Sequence, residues 1–84
     1  MFLGFLNSKI NIIKNDGRTF NDIPADVQES VIFLEDVTIP IEKGDTIERK
    51  IPSGVCEKYT VVNPVYYEGF DNIPGHYEIK ISRI

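Results

Sequence analysis

The 84-residue chain has one cysteine, one histidine and no tryptophan, and each shortage excludes something. Cys56 alone cannot close an internal disulfide, so the core has to hold by packing, unlike the crosslinked cores of many small secreted domains. Cys56 and His76 together supply too few ligands for a zinc site of the usual kind, and no other cofactor is expected. Long apolar runs are missing too. The longest, Met1-Phe2-Leu3-Gly4-Phe5-Leu6, falls far short of the roughly 20 residues that cross a bilayer. No basic region, longer apolar stretch or small-residue cleavage site accompanies it, so neither a membrane span nor a secretory signal is read, and the cytoplasm is the expected compartment. Runs of positive charge are also lacking. The nine Lys and Arg residues lie scattered among thirteen acids, for a net charge of −4. A phosphate-backbone binder needs a basic face that releases counterions, which disfavours nucleic acid as a partner.

What remains is an ordinary globular mix, with 42% apolar and 26% charged residues, in a chain short enough for one core. The single domain is read over 1–84, with an apolar segment at 1–8 and an aromatic stretch at 63–76. Glycine and proline punctuate it often, at Asp16-Gly17, Pro24, Pro40, Gly44, Pro52-Ser53-Gly54, Pro64, Gly69 and Pro74-Gly75, each closing a short alternating run. That rhythm predicts strands. No window keeps apolar residues at helical spacing against a clear polar face; the nearest is a helical turn over 24–29, held as the alternative there. About five to seven short strands in so small a chain imply a mainly β fold, either a small antiparallel barrel or a two-layer sandwich, with one long aromatic loop.

Two hairpins are legible in detail. Lys9 to Lys14 and Arg18 to Phe20 flank Asn15-Asp16-Gly17, where Asp-Gly favours a type I′ turn. Val31 to Leu34 and Val37 to Ile41 read as further strands, the second short because Pro40 lacks an amide donor, and Lys43-Gly44-Asp45 reads as a turn. In the second hairpin, a three-residue loop Pro52-Ser53-Gly54 sets Ile51 opposite Val55. The same register places Arg49 against Glu57, Glu48 against Lys58 and Ile47 against Tyr59, so both charge pairs are complementary. Alternation then puts Ile47, Ile51, Val55, Tyr59 and Val61 inside, with Arg49 and Glu57 paired at the rim, and Cys56 outside. His76 to Ile84 alternates again, with Tyr77, Ile79 and Ile81 on one face.

Candidate chemistry is sparse. Nucleophilic catalysis needs an activated side chain beside a base, and Cys56 with His76 is the only such pair; the competing account is an outer-face thiol and a turn histidine bonded to backbone. The acids Glu35-Asp36, Glu42, Asp45, Glu68 and Asp71 lack the alternate spacing of a calcium loop, and no glycine-rich phosphate cradle occurs.

The stretch from Asn63 to Tyr77 is unusual, with four aromatics among fifteen residues and no clear alternation between Tyr66 and Ile73. Read as an ordered loop, it either closes one barrel end with Tyr66, Phe70 and Ile73, or presents a binding surface. In a hybrid, Tyr67 and His76 face outward. Tyr66, Tyr67, Phe70, His76 and Tyr77 are therefore the candidate binding residues. Phe2, Leu3, Phe5 and Leu6 are candidate interaction residues, since a terminus is normally polar; they either add a strand to the sheet or dock into another chain.

The run Lys43-Gly44-Asp45-Thr46-Ile47-Glu48-Arg49-Lys50-Ile51-Pro52-Ser53-Gly54, followed by Glu57-Lys58-Tyr59-Thr60-Val61, Pro64, Tyr67, Gly69 and Ile73-Pro74-Gly75-His76-Tyr77, resembles a small module of uncharacterised bacterial and prophage-encoded proteins. The shorter pattern of Gly-Asp, strand, turn glycine and Tyr-x-Val is similar to the small β-barrels of phage head–tail connectors. Neither resemblance implies an activity or supplies functional residues. Taken together, the residues suggest a non-catalytic interaction or assembly module whose partner is another protein, a second copy, or a further domain of a longer chain. The alternative is a barrel that binds a small ligand or single-stranded nucleic acid through Tyr59, Tyr66, Tyr67 and Phe70 near Arg49 and Lys58.

Overall fold

The computed structural model describes residues 8–84, so the candidates Phe2, Leu3, Phe5 and Leu6 lie outside the described residues. Six antiparallel strands follow one another: β1 (Ser8–Ile13), β2 (Thr19–Val27), β3 (Val31–Leu34), β4 (Thr46–Lys50), β5 (Cys56–Tyr67) and β6 (His76–Arg83). They close into a barrel in the order β1-β2-β3-β6-β5-β4. Closure is made by β1 on β4, where Asn11, Ile12 and Ile13 face Glu48, Ile47 and Thr46. A closed barrel leaves no free sheet edge around its body, the main hazard of a small antiparallel sheet.

The β4–β5 register is the one the charge pairs predict: Ile47 against Tyr59, Glu48 against Lys58, Arg49 against Glu57. The loop closes as expected, with the Ile51 amide donating to the Val55 carbonyl at 3.0 Å. Val55 itself is not inside; at the hairpin end, past the barrel rim, it is exposed. The first hairpin differs in its turn. The Lys14 amide donates to the Arg18 carbonyl, the Gly17 amide to Lys14, and only Gly17 takes a positive φ, 94°. This is a three-residue loop ending in a left-handed glycine, not a two-residue type I′ turn, which would need Asp16 at positive φ as well.

One alternative and one expected strand fail on tertiary grounds. No helical turn forms over 24–29, because β2 runs on to Val27 with Ala25 buried, and the Gln28 amide closes the turn to Val31. Pro24 faces Lys9 on one side and, among the described residues, has no strand on the other, since β3 meets β2 only at Asp26 and Val27. Nor is Val37 to Ile41 a strand. It belongs to a connection that crosses the barrel mouth between β3 and β4, burying Ile39 and Ile41 as a lid over the core.

The core consists of Ile10 and Ile12 from β1, Ala25, Ile32 and Leu34, the lid residues, Ile47, Tyr59, Val61, Ile79 and Ile81. Lys14 extends the inward phase of Ile10 and Ile12 and is buried with them. Its ammonium donates to the Pro40 carbonyl and to Asp45, and pairs with Glu42 at 3.0 Å. The Asp45 carboxylate, fully buried, also accepts the amides of Asn15 at 3.2 Å and Glu42 at 2.8 Å. This knot ties the first hairpin to the lid.

Candidate functional site on the hairpin arm

The stretch expected to be a loop is mostly strand. β5 and β6 pair continuously from Tyr59 and Arg83 to Tyr67 and His76, past the point where β4 stops pairing with β5 at Thr60. The result is an arm in which β5 outruns β4 while β6 keeps β3 as its other neighbour as far as Tyr77, and only Tyr67, His76 and the tip rise beyond the barrel as a two-stranded piece. Cross-strand aromatic pairs, one on each face, account for it. Tyr66 meets Tyr77 edge to face at 5.7 Å between ring centres, and Tyr67 stacks on His76 at 5.3 Å. Such pairs stabilise a sheet by about 0.2–1 kcal/mol each.

Pro64 does not break the arm because of where its nitrogen points. The Ile81 amide donates to Ser30, so the backbone groups of Ile81, Ile79 and Tyr77 turn toward the β3 side. Their partners on β5 turn the other way. Pro64 and Tyr66, opposite Ile79 and Tyr77, therefore present their backbone to the open edge, where the missing proline amide has no ladder partner to lose.

The tip is a tight hairpin of its own. Phe70 and Ile73 exchange two backbone hydrogen bonds of 2.8 and 2.9 Å around Asp71, which sits at φ 53°. Gly75 lies close under Tyr66, and a Cβ there would come within 2.9 Å of the Tyr66 hydroxyl and displace the exposed end of that ring. Phe70 is 72% exposed, and Tyr66, Tyr67 and Ile73 are also exposed. Tyr66, Phe70 and Ile73 therefore do not cap the core; Ile39 and Ile41 from the lid already fill the mouth. The acids Glu68 and Asp71 flank the apolar tip and make no ion pair among the described residues.

His76 departs from the expectation that it faces water. It is only 7% exposed, covered by the Tyr67 ring, with Nε2 3.0 Å from Glu78 and Nδ1 3.3 Å from the Pro74 carbonyl. Tyr77 is half-buried against the core. Cys56 is exposed at the opposite end of β5, eleven positions from the residue that pairs with His76. At about 3.3 Å per residue that separation far exceeds hydrogen-bond reach, so the two side chains do not form a pair.

The aromatic and basic groups of the nucleic-acid alternative are also separated. Tyr59 is buried near the other barrel end, away from the arm. There Glu57 accepts from Arg49 Nε at 3.0 Å, Arg49 Nη2 at 2.6 Å and the Tyr59 hydroxyl at 2.7 Å, and Arg83 lies 3.5 Å from its second oxygen. The Tyr59 hydroxyl and Arg49 together hold the Glu57 carboxyl below its ordinary pKa. Lys58 faces Glu48 at 3.6 Å. Sequence reasoning found the Arg49–Glu57 pair but missed Arg83, which reaches Glu57 only because β6 lies beside β5. It also missed Lys14 and Asp45, although the inward phase of Ile10, Ile12 and Lys14 was a usable signal.

Among the described residues no cluster of His, Cys, Asp and Glu could hold a metal ion, and no helix is long and apolar enough to cross a membrane. Comparison with protein-family models, with curated proteins and with solved structures finds no match to the chain.

Proposed function

We propose that the chain is a non-catalytic interaction or assembly module, acting in the cytoplasm, and that the β5–β6 arm is the element it presents to a protein partner. The observation that carries this reading is Phe70, a large apolar side chain 72% exposed at the tip of an otherwise hydrogen-bonded arm. Exposed single apolar residues are common on protein surfaces, but here Phe70 and Ile73 share one hydrogen-bonded turn, with exposed Tyr66 and Tyr67 behind them. Aromatic anchors on a preorganised element lose little entropy on binding. The resemblance to prophage-encoded modules points toward a partner in phage assembly. A single-strand function would need free cations beside open aromatic faces, whereas Arg49, Arg83 and Lys58 each face an acid.

Two measurements test the proposal. Phe70→Ala should fold with a stability change within about 0.5 kcal/mol of zero in denaturant melts, as for a surface substitution. A photo-crosslinking amino acid at position 70 should give a discrete protein adduct in cells, and the same probe at exposed Lys43 should not. A loss above about 3 kcal/mol for Phe70→Ala would mean that the side chain is structural. An adduct with oligonucleotide instead of protein would favour the nucleic-acid alternative.

A further inference from the structure

The arm carries charge of one sign. From Val61 to Ile79 the chain holds Glu68, Asp71 and Glu78 and no Lys or Arg. Glu78 is engaged by His76, whereas Glu68 and Asp71 are exposed beside Phe70 and Ile73. A surface that receives the tip therefore has to offer apolar area together with positive charge. The opposite end of the barrel has both. There the start of β1 and the β4–β5 turn border an open recess of about 400 Å³, lined by Ser8, Lys9, Arg49, Lys50, Ile51 and Pro52. That volume lies in the range of roughly 300–1,000 Å³ typical of binding clefts. Ile51, Pro52 and the lysine stems supply apolar surface. No acid lines the recess; Lys9 and Lys50 make no ion pair among the described residues, while Arg49 is held by Glu57. No aromatic ring lines it either, so the stacking that a nucleic-acid strand uses has no platform there.

The tip cannot reach the recess of its own chain. β5 runs twelve residues from Cys56, beside the β4–β5 turn, to Tyr67, next to the tip. At about 3.3 Å per residue the two ends stand roughly 35 Å apart, close to the longest dimension of the described residues, 38 Å. We propose that the arm tip of one copy docks into this recess of the next, with Phe70 against Ile51 and Pro52, and Glu68 and Asp71 against Lys9 and Lys50. The proposal rests on the arm being the element presented to a partner, and it names a second copy as that partner. Two different patches meet in such a contact, so it does not close as a twofold dimer does, and copies add head to tail into an open chain or a ring. A single hairpin tip buries less than the roughly 1,200 Å² of a stable interface, so the contact is weak. Because its charges are exposed, salt weakens it further.

Sedimentation velocity of the full chain over a range of concentrations tests it. The average mass should rise with concentration in low salt and return to that of a monomer at about 1 M salt, where the screening length is only about 3 Å. Glu68→Lys and Lys50→Glu, both at exposed positions, should each weaken association at least about tenfold while keeping the unfolding midpoint. An equimolar mixture of the two variants should recover most of the parent's association, since each inverted group then meets its opposite on the other chain. Amide NMR spectra recorded against concentration should show residues 68–73 shifting together with Lys9, Lys50 and Ile51. A parent that stays monomeric in low salt would overturn the proposal, as would variants that associate like the parent, or a mixture no stronger than its components. Shifts confined to the tip would also overturn it, because they mark tip-to-tip contact. Failure here is separable from failure of the arm's role. A monomeric chain whose position 70 still crosslinks to another protein in cells loses the head-to-tail contact alone, whereas a Phe70→Ala chain that fails to fold removes both.

Discussion

Lys14 is the residue on which the barrel mouth depends most. Burial alone would lower the pKa of its ammonium, but the hydrogen bonds and charges of Asp45 and Glu42 outweigh that and hold it above the ordinary lysine value. Removing one member of a buried pair leaves the other uncompensated. Lys14→Met should therefore destabilise the protein by about 3–5 kcal/mol, a large part of the roughly 5–15 kcal/mol that a small domain has. Equilibrium urea melts check this. A group whose pKa is raised on folding holds its proton more tightly when folded, so its contribution is complete below the unfolded value and is lost as pH rises through the folded one. For Lys14 that window opens above about pH 10.4. Tyr59, raised by burial and by its hydrogen bond to Glu57, adds a loss of the same sign. Stability should thus fall on the alkaline side, and less steeply in Lys14→Met. An equal alkaline slope in both proteins would mean that Lys14 carries no such linkage.

At the scale of elements, the open edge of the arm is the feature with the most at stake. An unpaired strand edge invites another strand, and Pro64 stands where an added strand would need an amide donor. Pro64→Thr restores that donor without touching the core. It should keep stability within about 1 kcal/mol and promote self-association, seen as rising light scattering at high protein concentration. A variant as monodisperse as its parent would show that Pro64 does not guard the edge. The arm also shows why parts of the sequence were legible and others were not. In the 46–61 hairpin, opposite charges and a Pro-Ser-Gly loop fix one register, and the structure has that register. In the 63–77 stretch the ordering forces act across strands, Tyr66 on Tyr77 and Tyr67 on His76, and along one strand they leave only an aromatic cluster between turn residues. Val37 to Ile41 misleads in the opposite way. Its alternation is real, since Ile39 and Ile41 point inward, but the Pro40 carbonyl takes the Lys14 ammonium and no strand lies alongside.

For the whole molecule, the pairing that makes the fold is the one least visible in the chain. β1 meets β4 across more than thirty intervening residues, and nothing local in Asn11-Ile12-Ile13 or Thr46-Ile47-Glu48 announces it. Barrel or sandwich thus stayed open until closure was seen. Closure also divides the molecule by stability. Ile12, Ile32, Ile47 and Ile79 have no exposed surface and sit in strands paired on both sides, so their amides are freed only when the barrel opens as a unit. Past Leu34 and Tyr77, where β3 stops pairing with β6, the tip of the arm is paired on one side only with Phe70 and Ile73 exposed, and an isolated two-stranded hairpin is marginal in water. Native-state hydrogen exchange should therefore give the amides of Ile32, Ile47 and Ile79 the global unfolding free energy. The tip amides of Phe70 and Ile73, although hydrogen-bonded, should exchange through a local opening that is several kcal/mol cheaper and nearly insensitive to denaturant. Lys14→Met should lower the first group by its full destabilisation and leave the second unchanged. If the tip amides instead followed the barrel in both free energy and denaturant dependence, the arm would be part of the cooperative core, and an independently presented binding element would no longer describe it.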